Sequence, residues 1–211
     1  MSHHINPISI ILGALLLISQ QTAFSETSQT PFSSDESATT TMTDVSENDL
    51  SIQALVKTLN LEPHIEGGYY RRTYQADHRD KLNTAEGERF LLTSIYYLLT
   101  QDSAVGHWHH NKSDIIHYYH LGSPITYYLI HENGELEVVR MGNNPLAGEQ
   151  LQLVVKGGTW KASHLETGNY GLISEAVAPG FDFKDMSLGV KQELLAQFPQ
   201  HADVINQFSK H

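Results

Sequence analysis

Hydrophobic positions along this chain follow two rhythms. Ile52, Leu55, Val56 and Leu59 fall at i, i+3, i+4 and i+7, which is one face of a short helix. Ser46 and Asp49 stand just before it with capping-box spacing, and Pro63 is expected to end it. From Tyr69 to Val177 the pattern is that of strands. Arg89 to Leu99 is rich in aliphatic and aromatic residues, and Ile125–His131 and Glu135–Met141 flank Glu132-Asn133-Gly134. Asn and Gly both tolerate positive φ, so this is a hairpin signal. Gln150–Val155, Trp160–His164 and Tyr170–Val177 continue the series between turns at Gly157-Gly158 and Gly168. About eight short strands imply an all-β sandwich or small barrel. Helical spacing returns at Glu193–Phe198, breaks at Pro199 and resumes at Ala202–Phe208.

The N-terminal quarter reads differently. Ile8 to Ile18 is a mostly apolar stretch, too short to span a membrane but of signal-peptide length. Ala23-Phe24-Ser25 offers small residues where a signal peptidase reads, so residues 1–25 are expected to be removed after Ser25. Residues 26–49 are rich in Ser, Thr and acids and contain no base. Such a stretch buries too little apolar surface to offset its ordering entropy, and is expected to be a disordered tether. The folded domain is placed at 50–211, and the protein is expected to be exported, periplasmic or secreted, without stable membrane association after processing.

Composition narrows the chemistry. The 211-residue chain has no cysteine, which excludes disulfides and thiolate chemistry. A formal net charge of -11 makes nucleic acid an improbable partner. Neither a nucleophile elbow, a phosphate-binding glycine loop nor a dinucleotide fingerprint is present.

Five histidines fall between His107 and His120. Strand alternation puts His107 and His109 on one face, with Asp114 following across a turn. Two imidazoles and a carboxylate suit a divalent metal such as Zn, Fe, Mn or Ni, with His107, His109 and Asp114 as ligands and His164 the nearest candidate for a fourth. They equally suit a polar pocket without metal. Pro63-His64-Ile65-Glu66-Gly67-Gly68-Tyr69-Tyr70-Arg71 joins an acid, a glycine pair and an arginine, and its glycines permit close backbone approach. Pro179-Gly180-Phe181-Asp182-Phe183 carries two aromatic rings fit to close one end of a cavity.

Taken in order, these two segments together with Ser94-Ile95-Tyr96-Tyr97-Leu98-Leu99, Trp108-His109, Ser113-Asp114 and Gly158-Thr159-Trp160 resemble the cupin branch known as domain of unknown function 985, the fifth cupin family. The resemblance runs from about Leu50 to Phe208. It implies a double-stranded β-helix, or jelly-roll barrel, with short N- and C-terminal helices, paired into a homodimer. It also implies a more distant similarity to cupin sugar epimerases and isomerases. The match departs from metal-binding cupins where it matters. Lys161 stands where their second motif carries a histidine, and Ile115 stands where this branch carries a glutamate.

The favoured reading is therefore a metal-free small-molecule pocket, lined by Tyr70, Tyr96, His109, Asp114, His117, Tyr119 and Trp160, with Glu66 and Arg71 near its rim. In it, His109 is the base of an isomerase or epimerase, held by Asp114, acting on a carbohydrate-like ligand. A metal-dependent oxygenase or lyase and a non-catalytic binding protein are the alternatives.

Overall fold

A computed structural model describes residues 52–210. The expected signal segment, the tether and the Ser46–Asp49 capping box lie outside the described residues. Helix α1 spans Ile52–Thr58. It ends before Pro63, because Asn60 takes a left-handed φ of 54°. The Asn60 and Leu61 amides then donate to the carbonyls of Lys57 and Val56, a Schellman closure.

Thirteen strands follow, more than the eight the pattern suggests, because several are only two to four residues long. A six-stranded sheet runs in the order β1 (Glu62–Pro63), β2 (Tyr69–Gln75), β5 (Thr93–Thr100), β12 (Tyr170–Ala178), β7 (Asp114–Gly122) and β10 (Gln152–Val155). A five-stranded sheet runs β13 (Met186–Leu188), β6 (Val105–Asn111), β11 (Trp160–His164), β8 (Ile125–Ile130) and β9 (Leu136–Met141). A small β3–β4 hairpin joins Leu82–Thr84 to Gly87–Arg89. All the pairings between named strands are antiparallel, as an all-β jelly roll of the cupin kind requires. The hairpin at Asn133-Gly134 forms, but only Gly134 is left-handed.

The inner faces of the two sheets enclose a core that includes Tyr97, Leu99, Ile125, Tyr127, Leu129, Met141 and Ile173. Both outer faces are covered as well. Helix α1 packs Leu55 against Leu98 and Leu172 of the six-stranded sheet. Helices α2 (Lys191–Gln197) and α3 (Ala202–Phe208) pack Leu194, Phe198, Ile205 and Phe208 over Trp108, Ile130 and Ala162 of the five-stranded sheet. The strands are therefore apolar on both sides, which hides the alternation that a one-sided sheet displays.

Candidate functional site

The inward positions follow from alternation along each strand. On β5, Thr93, Ile95 and Tyr97 point in, while Tyr96 packs outward with the α1 cluster. On β12 the inward residues include Glu175 and Val177, and on β6 His109 and Asn111. Together with the β1–β2 loop and the Phe181–Phe183 segment they line a cavity of about 310 Å³.

Glu66 reaches the barrel from the loop between β1 and β2. Its carbonyl accepts from the His107 amide at 2.7 Å, the Gly68 amide donates to Ser103 Oγ at 2.7 Å, and the Tyr97 hydroxyl donates to the Gly67 carbonyl at 2.9 Å. Gly67 has φ 101°, and a Cβ there would overlap the Val105 carbonyl oxygen. The loop lies this close to β6 only because that residue is glycine. The close approach anticipated for the glycine pair is thus made by the barrel's own backbone.

Glu66 Oε2 lies 3.0 Å from His109 Nε2. His109 Nδ1 is 2.7 Å from the His107 carbonyl, which can only accept, so Nδ1 carries the ring proton and Nε2 is a bare lone pair. Burial drives His109 well below the usual imidazole range, and the Lys161 ammonium adds to this. Burial pushes Glu66 up to about 8, against the pull of Lys161. One proton is therefore shared by the pair and resides on the carboxyl at neutral pH, where it fills the otherwise unpartnered His109 Nε2. His64 completes this end of the site. Its Nδ1 accepts from the Glu66 amide at 3.3 Å and sits 3.5 Å from Glu66 Oε2, so it is a neutral acceptor, kept so mainly by burial.

At the other end are Lys161, His117 and Glu175. Lys161 Nζ is 2.9 Å from His117 Nε2 and 3.5 Å from Glu175 Oε1, and the last two atoms are 3.3 Å apart. Burial pushes the Glu175 carboxyl up, but the Lys161 ammonium beside it pulls it far below the ordinary carboxylate range. Glu66 and Glu175 thus line one cavity in opposite protonation states, a neutral acid and a fixed carboxylate.

Several expected site residues lie elsewhere. His107 and His109 do not share a face. Between β6 and β11 the register steps from Lys161↔His109 to Ser163↔Gly106, so a β-bulge absorbs one residue and turns His107 away. His107 Nδ1 instead meets the Phe208 carbonyl at 3.1 Å. Asp114 is exposed, and its Oδ1 accepts from the Gly157 amide at 2.8 Å, so it closes a turn and does not orient His109. The set His107, His109 and Asp114 is not assembled. Among the described residues no three His, Asp or Glu side chains are spaced as the ligands of a metal ion, and His64, Glu66 and His109 contact one another directly. The donors at the expected metal position do not fit one either, because the Lys161 ammonium already occupies the lone pair of His117 and faces Glu175.

Tyr96 and Arg71 stack with each other on the outer face, 5.9 Å from guanidinium carbon to ring centre, and Arg72 borders the cavity in place of Arg71. Trp160 is also outward, against His110 with ring centres 4.3 Å apart. Tyr119 is a core residue whose hydroxyl donates to the Gly122 carbonyl. His117 is inward but fully buried behind the cavity. Glu66, Tyr70 and His109 are brought together as expected, and the Phe181-Asp182-Phe183 segment does border the cavity. That segment is pinned by Phe181 N to Thr93 Oγ1 at 2.9 Å and by the two-pronged Arg89–Asp185 pair at 2.6 and 2.8 Å.

Residues 53–189 match the family described as Cupin superfamily (DUF985). An uncharacterised protein of Saccharomyces cerevisiae is 38% identical over 148 residues, covering 64% of this chain and 73% of the yeast protein. A hypothetical protein from Leishmania major superposes with a TM-score of 0.71 at 31% identity, over 76% of this chain and 99% of its own. A Shewanella oneidensis protein of solved structure gives 0.69 at 34% identity, over 75% and 97%.

Proposed function

The chain belongs to the DUF985 family of the cupin superfamily, and from that premise we propose that it is a metal-free acid–base isomerase or epimerase acting on a neutral, carbohydrate-like molecule. The observation that carries this reading is the 3.0 Å contact between Glu66 Oε2 and His109 Nε2 beside the cavity, facing a second carboxylate held ionised. Two carboxyl groups whose environments drive their proton affinities apart are an acid and a base by position.

The chemistry follows from those two states. Glu66 donates its proton to a substrate carbonyl oxygen while Glu175, once its carboxylate draws away from the Lys161 ammonium that lowers its proton affinity, takes a proton from the adjacent carbon. The C–H electron pair becomes the C=C bond of an enol, and the carbonyl π pair becomes the O–H bond. Delivery of a proton from water to the same carbon on its other face, as the enol O–H proton returns to the Glu66 carboxylate and the carbonyl reforms, gives an epimer. Return of a proton to the former carbonyl carbon, with loss of the neighbouring hydroxyl proton, gives an isomer. His109 Nε2 holds the Glu66 carboxyl in place by accepting its O–H until the proton passes to the substrate.

The lining also supports the ligand class. Glu62, Glu175 and Asp182 face a single basic lining residue, Arg72. Phosphorylated or otherwise anionic substrates are disfavoured by that balance. The volume suits a monosaccharide, at the small end of ligand sites. The apolar run Ile8–Ile18 followed by Ala23-Phe24-Ser25 supports action outside the cytoplasm.

The test is exchange. Neutral aldoses and ketoses are incubated with the protein in D₂O, and loss of the proton beside the carbonyl is followed by proton NMR. Glu66→Gln should slow exchange by about 100-fold or more, the usual scale for a lost general acid. A sugar seen bound by native mass spectrometry but never exchanged would leave a binding protein in place of an enzyme.

A further inference from the structure

A buried lysine in a polar barrel needs an account. Lys161 is 3% exposed, and it stands where the cupin resemblance expects a metal-binding histidine. Its Nζ and His117 Nε2 are 2.9 Å apart. An ammonium only donates, so His117 Nε2 accepts and the ring proton is on Nδ1. That Nδ1 has no well-formed hydrogen bond and takes only weak support from the Leu153 backbone. The Glu175 oxygen 3.3 Å from Nε2 is also an acceptor, so nothing bonds those two directly while both lack a proton. The ammonium is what holds them together.

We propose that the Lys161 ammonium is a resident cation that stands in for a metal ion in this barrel and positions His117 and Glu175 by its charge. A divalent ion in such a site would gather an imidazole and a carboxylate, and Lys161 gathers the same two groups. A second cation brought among them would meet an occupied lone pair and a like charge. The directions of titration agree with the geometry. Burial first, and then Lys161, lower His117 against the opposing pull of Glu175. Tyr127, with its ring centre 5.0 Å from that of His117, and His109 also face this group, and both are neutral, the first pushed up and the second pushed down mainly by burial.

Removing the ammonium leaves Glu175 buried without a counter-charge, which a folded protein does not tolerate. His117 is the nearest group able to supply one. Lys161→Met should therefore move a proton onto His117, whereas Lys161→Arg should leave it neutral. The full-length protein labelled with ¹⁵N in histidine is examined at pH 7. The expected result is a neutral His117 ring in the wild type and in Lys161→Arg, and an imidazolium in folded Lys161→Met. A neutral His117 in folded Lys161→Met overturns the proposal. Should the Met variant not fold, the wild type decides through titration with zinc chloride. His117 resonances that stay unmoved support a resident cation, and one equivalent of zinc that shifts them refutes it. Neither readout needs turnover, so failure here is distinct from failure of the isomerase reading.

Discussion

The proton shared by Glu66 and His109 makes a stability profile that can be worked out from the site. Burial raises the Glu66 carboxyl from an ordinary 4.5 to about 8. The folded state then holds this proton more tightly than the unfolded chain, and the stability it contributes is lost as pH rises through the folded value. His64, His109, His110, His117 and His120 are all lowered, mainly by burial, from an ordinary 6.5. Their contribution has the opposite sign. It is present above pH 6.5 and is lost as pH falls through the folded values. Glu175 acts only below pH 4.5. With no cysteine in the chain, no thiol titrates in the same window. Between pH 6.5 and 8 the unfolded chain still sheds imidazolium protons, so these histidines together add up to about 2 kcal/mol, and the Glu66 proton is isolated only as the difference from a variant that lacks it. Integrating its loss from pH 6.5 to 9 gives a fall of about 2 kcal/mol. Urea unfolding at half-unit steps across that range measures it, with Glu66→Gln as the comparison, since a neutral amide cannot titrate. The wild type should lose about 2 kcal/mol relative to the variant across this range. Parallel profiles for the two proteins would refute the assignment of the proton to this pair.

Gly67→Ala should destabilise by roughly 2–5 kcal/mol, from left-handed strain of about 1–2 and overpacking of about 1–3 against the Val105 carbonyl. Gly148→Ala, at φ 85° with open space around it, should show the strain alone, so equal melting shifts for the two variants would remove the close-approach argument. We also propose a homodimer. Strand β2 is paired by β1 only at Tyr69 and Tyr70, which leaves its later residues open on that side for a partner's sheet. Light scattering should give about twice the subunit mass at micromolar concentration, and a monomer would refute it.

Much of the fold was legible because local signals were unambiguous. The last helix, Ala202–Phe208, and strand β11, Trp160–His164, fall where spacing and turn residues put them. The site was harder, for a reason visible at Tyr96 and Tyr97. Helices cover both outer faces, so both tyrosines are flanked by apolar neighbours and the alternation has no phase. On β5 it is Tyr97, one residue past Tyr96, that lines the cavity, and on β11 it is Lys161, one residue past Trp160, that points in toward His117 and Glu175. The face of His107 depended on a bulge that no residue type announces. Glu175 did carry a signal, an acid in the inward series Ile173, Glu175, Val177 of an otherwise apolar strand. His64 lay within a segment already singled out, but its role rests on the backbone amide of Glu66, which only the folded loop supplies.

The proposed acid of this site is not carried by the barrel. Glu66 belongs to an arm that precedes the main strands in the chain and is fastened by its carbonyl to His107, by Gly68 to Ser103, by Tyr97 to Gly67 and, at the surface, by Lys210 Nζ to the Ile65 carbonyl at 3.1 Å. The proposed proton donor and the barrel that holds the cavity are therefore separable pieces. Detaching the arm would strip the proton donor and leave the inner core packed, so the arm can open locally at a free energy below that of global unfolding. Substitutions at exposed positions of the arm, such as Glu62 and Ile65, can accordingly tune the proposed reaction at little cost to the domain, whereas Gly67, wedged against Val105, and the proposed base Glu175, in mid-sheet between β5 and β7, have no such freedom. One half of the chemistry is free to vary and the other is tied to the fold.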